Sequence, residues 1–165
     1  MRHLRIESDG VNRLRLRGVD PVLLDCLQRL PEILGQRDAP EVRQRLFPDP
    51  TDAETETNCD WQRLIAPELR HLFEAAGETV ARDLANLAPD PQHKHHFQIS
   101  FAADHLNAWM SAINQARLIL GELFQVTEAD MNRPDFDLDQ PKGLALFRIH
   151  VLGYLLQLLV EHASI

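Results

Sequence analysis

Two cysteines, two lysines and a single tyrosine among 165 residues leave this chain short of several side chains from which sites are built. Cys26 and Cys59 make no metal or redox motif, and this usage fits a reducing compartment. The seven glycines are scattered, so no glycine-rich phosphate loop is present, and neither is a Gly-x-Ser-x-Gly elbow or a His-Glu-x-x-His pair. Basic charge is almost all arginine, Lys94 and Lys142 being the lysines, and the net charge of −8 argues against nucleic acid as the main partner. An uninterrupted apolar run of spanning length is also missing. The longest apolar region, 143–160, contains Arg148, His150 and Gln157. Burying that arginine would cost roughly 2.5–3.5 kcal/mol on insertion scales, so no membrane span is expected. The first 17 residues alternate and are dotted with arginine, unlike a secretory leader. A cytoplasmic location is the expectation.

What is there is ordinary for a globular domain, with 44% hydrophobic and 25% charged residues. A chain of this size buries roughly 70% of its unfolded surface and needs no disulfide or metal to fold. We read 1–165 as one domain, with an N-terminal hairpin over 3–17 and a helical body over 20–163. In the hairpin, Leu4, Ile6, Leu14 and Leu16 share a face, and Asp9-Gly10 supplies the turn. Asp20-Pro21 opens a helix lined by Leu23, Leu27, Leu30 and Leu34, which Pro31 bends or ends. A short helix is expected over 40–47, then a mobile acidic loop over 51–60. Asp60 leads into a helix with a restart at Pro67, and Leu69, Leu72, Phe73, Ala76, Val80 and Leu84 form its inner face. A loop over 88–94 precedes a strand over 96–101 that could pair with the hairpin. Helices follow over 103–124 and 140–162, separated by an acidic loop. The expected fold is mostly α (α+β): a bundle of three long and one or two short helices with a small antiparallel sheet.

The helix over 103–124 carries two superimposed patterns. Leu106, Trp109, Ile113, Ala116, Leu120 and Leu123 recur at helical spacing as a buried face. Beside them Asn107, Asn114, Arg117 and Gly121 form a second line. This line is either a structural network or, with Tyr154 of the last helix, the lining of a site for a carboxylate or phosphate. For Arg117 we expect at least half burial, hydrogen bonds to carbonyls or a carboxylate, and a structural role. His150, Tyr154, Gln157 and Glu161 make a polar stripe on the last helix, read as its solvent side.

Metal signals are weak. His93, His95 and His96 are close in sequence, but neighbours seldom converge on one tetrahedral site, so no metal is assigned. Glu68-x-x-His71 has the spacing of carboxylate-bridged dinuclear bundles but occurs once. The run of Asp135, Asp137 and Asp139 lacks the glycine and the bidentate glutamate of a calcium loop. Cys26 lies beside Asp25, which raises its pKa and speaks against a nucleophile. No catalytic residue and no cofactor are assigned.

The run Ala108-Trp109, Asn114 and Arg117-Leu118-Ile119-Leu120-Gly121, with Leu123 and a later Gly153-Tyr154-Leu155, resembles the uncharacterised bacterial family known as domain of unknown function 2017. The hairpin and the stretch Trp61-x-Arg63-Leu64-x-x-Pro67-Glu68-Leu69 resemble it too. That family is best represented in actinobacteria and is often encoded beside the Clp protease adaptor. The resemblance therefore implies a role near protein quality control and transfers no catalytic residues; the His93/His95/His96 cluster is not part of it. The expectation is a protein-interaction or adaptor module with protease machinery as partner and a homodimer as a further arrangement. The alternative is an anionic-ligand binder or enzyme using a pocket around Arg117.

Overall fold

A computed structural model describes residues 3–133 and 135–164. Strands β1 (Arg5–Ser8) and β2 (Arg13–Val19) form the N-terminal hairpin. They pair antiparallel with Ile6 opposite Leu16 and Ser8 opposite Leu14. Gly10 and Asn12 adopt positive φ in the turn, as a tight reversal of twisted strands requires. At the far end of β2 the register shifts between Leu16 and Val19, and Gly18 sits in this bulge at φ +71. A Cβ on Gly18 would lie 2.1 Å from the His3 carbonyl oxygen, so only glycine lets the two segments meet there.

Asp20 caps α1 (Pro21–Gln28), its Oδ1 accepting from the Leu23 N–H at 2.9 Å. The chain breaks before Pro31 and continues as α2 (Leu30–Leu34) and, after a 3-10 turn, α3 (Pro40–Leu46). The acidic segment expected to be a mobile loop is instead organised, because Asn58 is buried within it. The Asn58 Oδ1 accepts from the N–H and hydroxyl of Thr51, and its Nδ2 donates to the carbonyls of Thr51 and Ala53. Thr55 then caps α4 (Glu56–Asp60). Asp60 therefore ends a helix rather than leading one. A π-helical turn, Trp61–Ile65, joins α4 to the 19-residue α5 (Ala66–Leu84).

A strand unforeseen in the sequence, β3 (Leu87–Pro89), pairs with β4 (Phe97–Ala102), giving the antiparallel order β1-β2-β4-β3. Three residues ending in proline carry too little alternation to be read as a strand. Helix α6 (Leu106–Leu123) follows, then the single-turn α7 (Glu128–Met131), closed by a Thr127/Asp130 capping box, then α8 (Pro141–Ala163). The acidic run between α6 and α8 hid this turn because its capping signal, Thr-x-x-Asp, is common in loops. The three long helices α5, α6 and α8 and the small sheet bear out the α+β reading, with more short helical turns in the connections than the sequence suggested.

Helix α6 lies at the centre, packed against α8, α5, α3 and α2. Leu14, Leu16, Ile99 and Phe101 of the sheet point into the same core, and Phe101 stacks on Trp109 with centroids 5.1 Å apart. By length and composition α8 could cross a membrane. In this fold Leu152, Leu155 and Leu159 on it are fully buried in the protein.

Candidate functional site

The five residues singled out on α6 and α8 do not share one surface. Trp109 is fully buried, whereas Asn107, Asn114 and Tyr154 are exposed. Helical geometry separates them, since Trp109 lies on the core stripe and the two asparagines lie about half a turn away. Arg117 is partly buried between the faces, and its Nε donates to the Ile149 carbonyl of α8 at 3.3 Å. Its guanidinium rests on Gly153, where a Cβ would stand 3.4 Å away. Burial lowers its pKa, though a guanidinium stays charged at any physiological pH. Arg117 thus reaches from α6 to α8 through a backbone carbonyl. None of the five depressions described on the surface is lined by Asn107, Asn114, Arg117 or Tyr154. His150 is half-buried, and Gln157 and Glu161 are exposed and hydrogen-bonded to each other at 2.8 Å.

Two buried carboxylates, Asp83 and Asp90, hold elements together instead. Asp83, on the inner face of α5, accepts from Trp109 Nε1 at 2.9 Å and meets His105 Nδ1 at 2.9 Å. It closes the junction of α5, the sheet and the start of α6. The signal was present: Asp83 continues the Ala76/Val80 stripe, where an acid must find donors. Asp90, fully buried at the end of β3, accepts from Arg17 Nη2 at 2.5 Å and from the backbone N–H groups of Gly18 and Gln92. Burial alone would raise its pKa, but Arg17 and the two backbone donors outweigh that and hold Asp90 well below the usual carboxylate range. No sequence pattern announced this pair, because its members lie 73 residues apart.

Around Asp90 the structure gathers histidines from two segments. The hairpin loop between β3 and β4 is closed by the Asp90 N–H donating to the His96 carbonyl at 2.9 Å. It presents His93 and His96, with ring centroids 5.8 Å apart. His3, ahead of β1, stands 4.4 Å from His93 and 5.7 Å from His96. Desolvation and the neighbouring His93 and His96 lower the pKa of His3. His95 is exposed at φ +65 at the loop tip and belongs to none of these ring contacts. Among the described residues no group of three or more His, Cys, Asp or Glu is placed so that it could hold a metal ion.

The remaining chemistry is sparse. Cys26 is buried and its thiol is pushed up to about 11 by desolvation, so it is inert at neutral pH. Cys59 is exposed and unpaired. A depression of about 420 Å³ beside it is lined by Asp49, Glu54, Thr55, Asn58, Cys59 and Gln62. The charged groups in that lining are the carboxylates of Asp49 and Glu54, and it holds no histidine.

Close in sequence to this depression's lining, three large apolar residues are exposed. Leu64, Ile65 and Leu72 are 57%, 46% and 63% exposed, on the π-helical turn and the first two turns of α5. Leu72 follows Ile65 and Leu64 by seven and eight residues, across the join of the π-helical turn to α5. Asp60, Arg63 and Glu68 surround them with charge, and Arg63 pairs with Asp60 at 2.9 Å. The turn packs mainly on its sequence neighbours α4 and α5.

Residues 7–163 match the family model described as Domain of unknown function (DUF2017), and the chain belongs to that family. No curated protein and no solved structure matches it.

Proposed function

We propose that this member of the DUF2017 family is a cytoplasmic protein-interaction module, docking its partner on the edge built by residues 61–72. The carrying observation is the outward apolar strip of Leu64, Ile65 and Leu72 within a charged rim. A solvated helix normally keeps such residues singly placed, while a small apolar centre ringed by charge is the usual anatomy of a transient interface. The π-helical turn supports the reading, because such turns concentrate at functional positions and here swing Leu64 and Ile65 outward. The partner surface is then apolar, an amphipathic helix or a groove that accepts one. The family's neighbourhood with the Clp adaptor, implied by the resemblance above, makes Clp-type protease, chaperone or adaptor subunits the first candidates. The unpaired cysteines suit a reducing compartment, and the net charge of −8 disfavours nucleic acid.

A pull-down from native lysate tests this with the full chain and with Leu64→Glu/Leu72→Glu as bait. Both substitutions are at exposed positions and leave the core intact. The wild type is expected to recover Clp-type subunits that the variant loses by tenfold or more. Recovery of none, or equal recovery by both baits, overturns the proposal. Sedimentation over a range of concentrations separates the competing case, in which a second copy of the chain covers the strip.

A further inference from the structure

We propose that His3, His93 and His96 form a binding site for a divalent transition metal such as Zn²⁺. Three imidazoles ligating one tetrahedral ion at 2.0–2.1 Å have ring centroids about 5 Å apart. The observed separations of 4.4, 5.7 and 5.8 Å bracket that value. As the side chains stand, no group of three His, Cys, Asp or Glu among the described residues could hold a metal ion, so the proposed site requires rotation of the three rings, each of which is at least partly accessible.

The surroundings favour one presentation of the nitrogens. His96 Nδ1 lies 3.1 Å from the Lys94 carbonyl, a contact that keeps the proton on Nδ1 and leaves Nε2 as a donor to metal. His93 Nδ1 is buried without a hydrogen-bond partner, 3.6 Å from Asp90 Oδ2. Were that contact to shorten to a hydrogen bond, the proton would stay on Nδ1 and leave Nε2 as the nitrogen for a metal. A carboxylate or carbonyl behind each ligating histidine is the usual support of a metal site. Asp90 is fixed for that role by Arg17 and by the Gly18 and Gln92 N–H groups.

The third ligand is held in place as well. The His3 carbonyl lies against Gly18, and Arg5 Nη2 donates to Gln92 Oε1 of the loop at 2.8 Å. The chain ahead of β1 is thereby tied to the β3–β4 loop on both sides of the cluster. Neutral imidazoles suit Zn²⁺, Ni²⁺, Co²⁺ and Cu²⁺ rather than Mg²⁺ or Ca²⁺. With three protein ligands, a fourth position stays open to water or to a donor from a partner.

The test is calorimetric titration of tag-free, chelator-treated full chain with Zn²⁺, with Co²⁺ absorption as a spectroscopic readout. We expect one Zn²⁺ per chain and a visible Co²⁺ spectrum of tetrahedral intensity. His93→Ala/His96→Ala should lower the affinity by a hundredfold or more, and His3→Ala by tenfold or more. His95→Ala and His71→Ala should stay within twofold of the wild type. Asp90→Asn should weaken binding by about 10–100-fold, as loss of an outer-shell partner does. If the double variant fails to fold by circular dichroism, His3→Ala decides alone, since it removes only an exposed ring. Absence of Zn²⁺ binding by the wild type overturns the proposal. So does affinity that survives His3→Ala or the double substitution, or that falls equally with His95→Ala.

Discussion

Asp83 and Asp90 carry more of this structure than any residue on the face that first draws attention. Removing the acceptor in Asp83→Ala strands the Trp109 indole N–H in the core, and a buried donor left unpaired costs about 1–3 kcal/mol. Urea melts followed by tryptophan fluorescence should show that loss; an unchanged midpoint would mean that the bond contributes nothing. Asp90 makes a prediction about pH. Its folded pKa is depressed by Arg17 and two backbone N–H groups acting against burial, so its contribution is present above the unfolded value of about 3.9 and fades as pH falls below it. Chelator-treated Asp90→Asn should be less stable at neutral pH and show a shallower decline between pH 5 and pH 2. A decline parallel to the wild type would contradict this. Arg117 was legible in the sequence because a guanidinium beside a core stripe has few places to go. Its partner was not, because the acceptor is the backbone of a helix 32 residues away. That carbonyl already serves the helix ladder, so the contact joins two helices without leaving a demanding acceptor behind.

Among the elements, α5, α6 and α8 could be read from the sequence because each repeats its apolar residues over several turns. The Asp20-Pro21 start of α1 was equally plain, and the Asp20 cap is where the residue types placed it. Shorter pieces escaped for physical reasons. Strand β3 has three residues and exists because β4 offers an edge, while α4 depends on Asn58 folding its own loop inward, a tertiary event in an acidic segment. The π-helical turn is invisible to any 3.6-residue period. Helix α6 also carries a substitution that separates propensity from packing. Gly121 has open space where a Cβ would go, so Gly121→Ala should stabilise the protein by up to about 1 kcal/mol through helix propensity. A thermal melt with a lowered midpoint would show that the glycine has a role that its surroundings do not reveal.

At the scale of the molecule, a central helix walled by α8, α5, α3 and a four-stranded sheet takes up the core, and Leu64, Ile65 and Leu72 are left exposed outside it. The sequence showed the class of fold and the absence of catalytic motifs. It did not show the strip, since Leu72 read as part of the inner face with Leu69, Phe73, Ala76 and Val80, of which the core takes the other four, and Leu64 and Ile65 were given no place. Leu72 was assigned to the inner face and is in fact outside, because the core side of α5 is narrower than its apolar sequence suggests. The central claim is that this strip is where a protein partner binds. Its most direct test is the dissociation constant of a Clp-type subunit recovered from lysate, measured for the wild type and for Leu64→Glu/Leu72→Glu. The account predicts at least a tenfold weaker constant for the variant, about 1.4 kcal/mol, with an unchanged denaturation midpoint; equal constants for two equally stable proteins would contradict it.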